Sequence, residues 1–294
     1  MLLSKSRLGF VLSVIPALLW STSGVLGKVL LTGTLTPSRL VFYRSLLGSF
    51  LLFLILLIQD KSLLKLRRKD LPFFLCMGIF GLAFTQFTYY SAIQSLDVGF
   101  AILLQYLAPL WILLFERFYY KMPLSRAKVT ALGLALAGCF MISTETPSIN
   151  GLGVEGFILG VTAGICFAAY GLMSQHALKS HHPLNVLFYS LLFSAMFWGI
   201  FGPDSRAPLS EVDGAKVWII VYVAVFGTLV PYLIYLYALR LLEASRVGII
   251  STLEPVFASA LAWIYLGERL SIVQVLGGAC VLLAISILQW KQNK

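Results

Sequence analysis

Charge is what this sequence has least of. Asp, Glu, Lys and Arg make up 12% of its 294 residues, about half the share found in a soluble domain. Acidic residues are scarcer still, 12 against 22 basic, for a formal net charge of +10. A chain this long can bury a soluble core with far more polar surface, so the shortage argues against an ordinary soluble protein. Cysteine is also sparse. Cys76, Cys139, Cys166 and Cys280 all fall inside apolar runs, and none forms a C-x-x-C pair. They read as small buried hydrophobes rather than disulfides or metal ligands. His176, His181 and His182 have no further ligand nearby in sequence, which favours an interfacial role over a metal site. There is no H-E-x-x-H, no phosphate-binding Walker loop and no G-x-S-x-G elbow. Neither a catalytic centre nor a resident cofactor or metal is therefore expected.

What the chain has instead is apolar length: 59% of its residues are hydrophobic. Runs near the 20 residues that span a bilayer as helix recur from end to end. In lipid such runs have to be helical, because nothing else satisfies the backbone. Ten spans are predicted, at about 8–31, 37–58, 71–92, 98–119, 125–143, 154–178, 184–201, 216–240, 244–266 and 271–290. Lys5 and Arg7 ahead of the first run imitate a signal peptide. The stretch from Gly9 to Leu31 is too long for one and lacks a small-residue cleavage site, so it is read as the first membrane helix. The expectation is an all-α polytopic membrane protein with ten transmembrane helices.

The basic residues segregate across this map. With the N-terminus inside, 16 of the 22 Lys and Arg fall in inner loops, among them Lys61, Lys65, Arg67, Arg68 and Lys69 between the second and third spans. That is the positive-inside pattern. It predicts cytoplasmic termini and accounts for the basic balance without nucleic acid; the membrane expected is a bacterial cytoplasmic (inner) one.

The two halves of the chain repeat. Ala92 and Pro109 stand as far apart as Ala238 and Pro255, and the same offset of 146 carries Phe80-Gly81 onto Phe226-Gly227, Tyr89 onto Tyr235 and Pro37 onto Pro183. Five spans per half is an odd number, so the second copy enters the membrane upside down, as in many secondary carriers. The expected units are residues 1–146 and 147–294. With both halves in one chain a monomer can suffice, and higher assembly is left open.

These features resemble the drug/metabolite transporter superfamily, and within it the EamA-type carriers. The residues that carry the resemblance are Trp20-Ser21-Thr22-Ser23-Gly24, the run Leu253-Glu254-Pro255-Val256-Phe257-Ala258, Gly267-Glu268 and the pair Gly277-Gly278. The first half departs from the pattern with Lys121-Met122 where the second has Gly267-Glu268. The resemblance implies ten helices around a central cavity, alternating access and no nucleotide hydrolysis. It implies cargo among amino acids, nucleotide-sugars, cofactors and drugs, often moved outward.

Several residues are candidates to meet that cargo. Glu254 lies in mid-span beside Pro255, where an ionisable group is costly and marks a function or a partner. Pro255 frees the carbonyl of Ser251, and Pro109 is its mate in the first half; both are candidate helix breaks for gating. Glu254 reads equally as a substrate or proton site and as a packing group bonded to Ser251 or Thr252. Arg44 is a candidate partner for Glu254 or for a substrate carboxylate, whereas Arg39 and Lys28 are expected to snorkel to the interface. Gln86, Tyr89 and Tyr90 share one helical face, as do Tyr232 and Tyr235. Gln105, Tyr106, Trp20 and Tyr170 join them as cavity candidates, against the alternative of core or lipid-facing aromatics. Gly24, Gly27, Gly81, Gly133, Gly138, Gly227, Gly277 and Gly278 are expected to admit close helix contact.

The function that follows is a secondary transporter of small organic metabolites, amino acids or related compounds first. Export and proton coupling are both open. The alternatives are nucleotide-type metabolites or cofactors as cargo, or a channel or flippase.

Overall fold

The computed structural model describes residues 4–33, 35–143, 154–204, 212–266 and 270–290. The loop expected at Thr144–Gly153, the Gly267-Glu268 motif, Arg206, Arg269, Lys291 and Lys294 lie outside the described residues.

Ten helices are long and apolar enough to cross a membrane: α1 (Lys5–Leu31), α2 (Pro37–Gln59), α3 (Arg68–Ser95), α4 (Val98–Phe118), α5 (Arg126–Ser143), α6 (Val154–Ala177), α7 (Pro183–Phe201), α8 (Gly214–Leu239), α9 (Ala244–Tyr265) and α10 (Ile272–Gln289). Each matches its predicted span to within three residues, and no strand occurs among the described residues. Helix starts follow local chemistry. The Thr36 hydroxyl accepts the Arg39 N–H and Pro37 opens α2, while the Asp213 carboxylate accepts the Ala215 N–H at the start of α8. Both arrangements satisfy amides that a helix start leaves orphaned. Large hydrophobic side chains such as Ile58, Phe118, Ile200, Trp218 and Ile272 stand exposed. Hydrocarbon is the environment that accepts such a surface. The protein is an integral, multi-pass membrane protein.

Four of the helices are irregular, and the irregularities come in matched places. α4 is interrupted between Val98–Gln105 and Ala108–Phe118, and α9 between Ala244–Ser251 and Leu253–Leu266. The cause is Pro109 and Pro255. Each lacks an N–H and crowds the carbonyl four residues earlier, at Gln105 and Ser251, where the first half-helix stops. α3 and α8 each hold a π-helical turn, at Met77–Ala83 and Val225–Leu229, around Phe80-Gly81 and Phe226-Gly227. A π turn leaves a carbonyl without its usual partner, and one of these carbonyls is used below.

α1 packs against α8 and both halves of α9, α2 runs along α7, and α3 lies on α6 and α7. The closest pair is α5 with α10. A Cβ on Gly138 would stand 2.5 Å from the Gly277 carbonyl oxygen, and one on Gly277 2.7 Å from that of Gly138, so only hydrogen fits between the backbones. Gly133 does not follow that expectation. It is exposed, and a Cβ there would meet nothing within 4 Å. Gly278 would meet only Val256, at 3.8 Å.

Candidate substrate-binding cavity

The irregular helices meet at a cavity of about 40 Å³. Its walls are Trp20, Ser23 and Gly24 of α1, Arg44 of α2, Thr85, Gln86, Tyr89 and Tyr90 of α3, Gln105 of α4, Phe167 of α6, Tyr232 of α8 and Glu254 of α9. That volume holds a few waters and is several times smaller than a ligand cleft. A substrate therefore enters only as the helices separate.

Arg44 is 4% exposed. Its Nε donates to Thr228 Oγ1 at 2.7 Å, Nη1 to the Tyr90 hydroxyl at 2.5 Å, and Nη2 to the Gly227 carbonyl at 2.8 Å. Gly227 and Thr228 lie in the π turn of α8, which supplies that free carbonyl. The guanidinium also sits 5.1 Å from the centre of the Tyr90 ring. One side chain thus ties α2, α3 and α8 together, and its planar fork suits three divergent acceptors. The candidate pairing with Glu254 is not formed: three of the five N–H donors go to these acceptors, and Glu254 bonds elsewhere.

Glu254 is 5% exposed, and its Oε2 accepts from the Tyr106 hydroxyl at 2.6 Å. Tyr106 stands in the break of α4, and Glu254 lies in the first turn of the second half of α9. A carboxylate there faces the positive end of a helix dipole. The alternative partners Ser251 and Thr252 instead bond back within their own half-helix, to the Val247 and Ile249 carbonyls, which a freshly broken helix end exposes. Neither atom of the Gln86 amide has a protein hydrogen-bond partner, nor do Gln105 Oε1 and the Tyr89 hydroxyl. These are buried donors and acceptors beside the cavity, and burial makes an unmet group costly.

Some candidates stand back from the cavity. Tyr170 and Tyr235 are fully buried and stack with ring centroids 6.5 Å apart; Tyr235 also stacks on Phe167 and tilts against Trp20. They form a second layer behind the wall, because Phe167 and Tyr232 come between. Ser251 turns to its own helix and does not line the cavity. Pro109 packs against Gly248. Lys28 is half-buried, 4.0 Å from Asp97, and its Nζ donates to the Leu96 carbonyl at 3.4 Å. Arg39 is a correction: it is 3% exposed rather than snorkelled, since Tyr43 one turn on offers both a hydroxyl at 3.2 Å and a ring face. Ser23, Thr85 and Phe167 were missed as wall residues. Ser23 was legible from its place one turn after Trp20, and Thr85 from its place beside Gln86. Phe167, one of 21 phenylalanines, carried no signal. Among the described residues no group of His, Cys, Asp or Glu could hold a metal ion.

The profile of the EamA-like transporter family matches this chain twice, over residues 7–144 and 154–290. The chain belongs to the EamA-like transporter family. Among relatives of this EamA-like transporter is an uncharacterised transporter of Archaeoglobus fulgidus, 30% identical over 70% of this chain and 72% of its own. The threonine/homoserine exporter RhtA of Salmonella typhimurium is 28% identical over 68% of this chain and 65% of its own. The uncharacterised transporter YdfC of Bacillus subtilis is 22% identical over 88% and 84%. A solved crystal structure superposes with a TM-score of 0.81 over 97% of both chains at 20% identity, which speaks for the fold.

Proposed function

We propose that this EamA-like transporter moves small zwitterionic metabolites, amino acids first among them, out of the cell by alternating access. The observation that carries the reading is that Arg44 and Glu254 line one cavity without pairing to each other. A guanidinium edge suits a carboxylate, a buried acid suits an ammonium, and the unmet amide of Gln86 and the unmet Oε1 of Gln105 line the same cavity. The similarity to an exporter of threonine and homoserine points to the same chemistry and direction.

Alternating access is supported by the matched breaks. Residues 1–146 and 147–294 are read as inverted five-helix halves. Pro109 and Pro255 interrupt α4 and α9, and each half-helix is read as moving about its break. The charge pattern supports cytoplasmic termini, and the membrane is read as a bacterial cytoplasmic membrane.

Counter-exchange in liposomes tests the reading. Labelled threonine, homoserine and a nucleotide-type metabolite are offered with and without a pH gradient. Saturable amino-acid exchange, lost when the substrate lacks either its amine or its carboxylate, is the expected result. Exchange of the nucleotide alone would replace the substrate class, and non-saturating flux would replace the carrier with a channel. A response to the gradient that disappears in Glu254→Gln would add proton coupling.

A further inference from the structure

Transport uses the cavity, but a second charged cluster lies apart from it, at the face of the bundle that carries the N-terminus. Glu116 ends up 3% exposed and Lys128 8%, although Lys128 reads in sequence as a loop cation. Lys128 Nζ lies 3.4 Å from Glu116 Oε2 and 2.5 Å from Glu243 Oε2. Glu116 Oε1 accepts the Ser245 backbone N–H at 3.3 Å. Two carboxylates thus share one ammonium, and the surplus negative charge rests against the amide end of the half-helix Ala244–Ser251, where the dipole favours it. The cluster joins the second half of α4, the start of α5 and the start of α9. Nearer the cavity, Gly248 seats on Pro109 and Ile112. Together these contacts bind the two half-helices that run from Gln105 and Ser251 to the N-terminal face.

The repeat mates of these residues on the opposite face differ. At the repeat offset of 146, Glu116 and Lys128 fall on Ala262 and Gln274. The mate of Glu243 is Asp97, whose pairing with Lys28 is long, at 4.0 Å, and half-buried. On that side α9 ends with Trp263, Ile264 and Tyr265 at 57%, 62% and 79% exposure. The repeat positions of Glu116 and Lys128 on the opposite face are thus uncharged, so this ion pair belongs to the N-terminal face alone.

We propose that Glu116, Lys128 and Glu243 are positioning residues for transport: they latch the cavity shut toward the N-terminal face, and their separation opens it to that face. A buried ion pair is suited to this. Glu116 and Lys128 are buried and satisfy each other out of water, with the half-exposed Glu243 carboxylate closing the pair from the solvent side; removal of either buried partner strands the other. Once the half-helices part, water solvates the buried pair, so the cluster has two stable conditions instead of a continuum. The inference rests on family membership and on this geometry, and does not depend on which substrate is carried.

The test reads access directly. A single cysteine is placed in the cavity wall as Thr85→Cys, with the four native cysteines replaced by alanine, and a membrane-impermeant maleimide is added from one side of oriented vesicles at a time. The latched cavity is too small for the reagent, so labelling reports opening. Lys128→Gln is expected to speed labelling from the N-terminal face by roughly tenfold and to slow it from the other, as a shift between two populations does. Lys128→Arg, which can still bridge both carboxylates, stays near the parent rate. Glu116→Gln with Lys128→Met removes the buried pair as a unit, which proteins commonly tolerate, and is expected to open the same face if Lys128→Gln alone fails to fold. Unchanged labelling from the N-terminal face in the folded double variant would overturn the proposal. No flux measurement enters, so a wrong substrate class leaves this outcome untouched.

Discussion

Replacing Arg44 by Met is the perturbation with the most to say about the cavity. It leaves the Gly227 carbonyl, the Thr228 hydroxyl and the Tyr90 hydroxyl without the donors that now lie 2.5 to 2.8 Å away. Hydrogen bonds to a charged group contribute about 1.5–3 kcal/mol each. Set against that, removing the buried guanidinium also removes its desolvation cost, so a net loss of about 3 kcal/mol is the reasonable sum. For a chain of 294 residues that lowers the unfolding midpoint by roughly 5 °C. Arg44→Lys keeps the charge but reaches one or two of three divergent acceptors and should lie about halfway. The assay is thermal unfolding of purified protein in mild detergent, run beside Tyr90→Phe and the double variant. Because the pair shares one bond, the two losses should fall short of additive by about 1–3 kcal/mol. An Arg44→Met midpoint within about 2 °C of the parent, or strict additivity with Tyr90→Phe, would refute the view of Arg44 as the tie between α2, α3 and α8.

Other expectations follow from single contacts. Gly138→Ala forces a methyl onto the Gly277 carbonyl and should destabilise by about 1–3 kcal/mol, whereas Gly133→Ala meets open space and should be neutral or stabilising by about 0.4–1 kcal/mol; equal unfolding midpoints would show that α5 and α10 are not in backbone contact. Glu254→Gln keeps an oxygen for the Tyr106 hydroxyl and should fold normally while losing exchange of zwitterions, whereas Tyr106→Phe strands the acid and should cost about 1–3 kcal/mol; full exchange activity in Glu254→Gln would remove Glu254 from the substrate site. His182 caps α7 by accepting the Leu184 N–H on Nδ1 at 3.3 Å, and burial, then Arg240, holds its imidazole below the usual 6.5. The folded state therefore favours neutral His182, so this contribution to stability is complete above the unfolded value and fades as pH falls toward the lower folded one. The unfolding midpoint should drop between about pH 7.5 and about pH 5.5, and drop less in His182→Asn, which caps without titrating; an identical drop in both would assign the effect to another group.

Much of the fold is visible in the one-dimensional pattern. Lipid allows a long apolar run only one backbone solution, which is why ten spans could be placed to within three residues. The helix breaks were legible for a similar reason. Pro255 and Pro109 act on their own carbonyls four residues back, a purely local effect. The site was harder. Mid-span acids and amides such as Glu254, Gln86 and Gln105 stand out in apolar sequence because burying them is costly. Tyr170 and Tyr235 carry the same signal as Tyr232 and nevertheless lie one layer deeper, since sequence spacing gives a helical face but not its depth. Phe167 offered nothing to distinguish it.

By itself, then, the sequence determined the number of helices, their ends, their interruptions and the list of polar residues that membrane burial would not waste. Partnership was decided by tertiary structure alone. Arg44 and Glu254 are opposite charges that sequence invites to pair, yet Arg44 bonds to a π turn in α8 and Glu254 to a tyrosine in the break of α4. Lys128 reads as a loop cation and becomes a buried one between Glu116 and Glu243. The reason is physical: periodicity and hydropathy act within one helix and its solvent, whereas a hydrogen bond or ion pair depends on a few ångströms between helices that only the packed bundle sets.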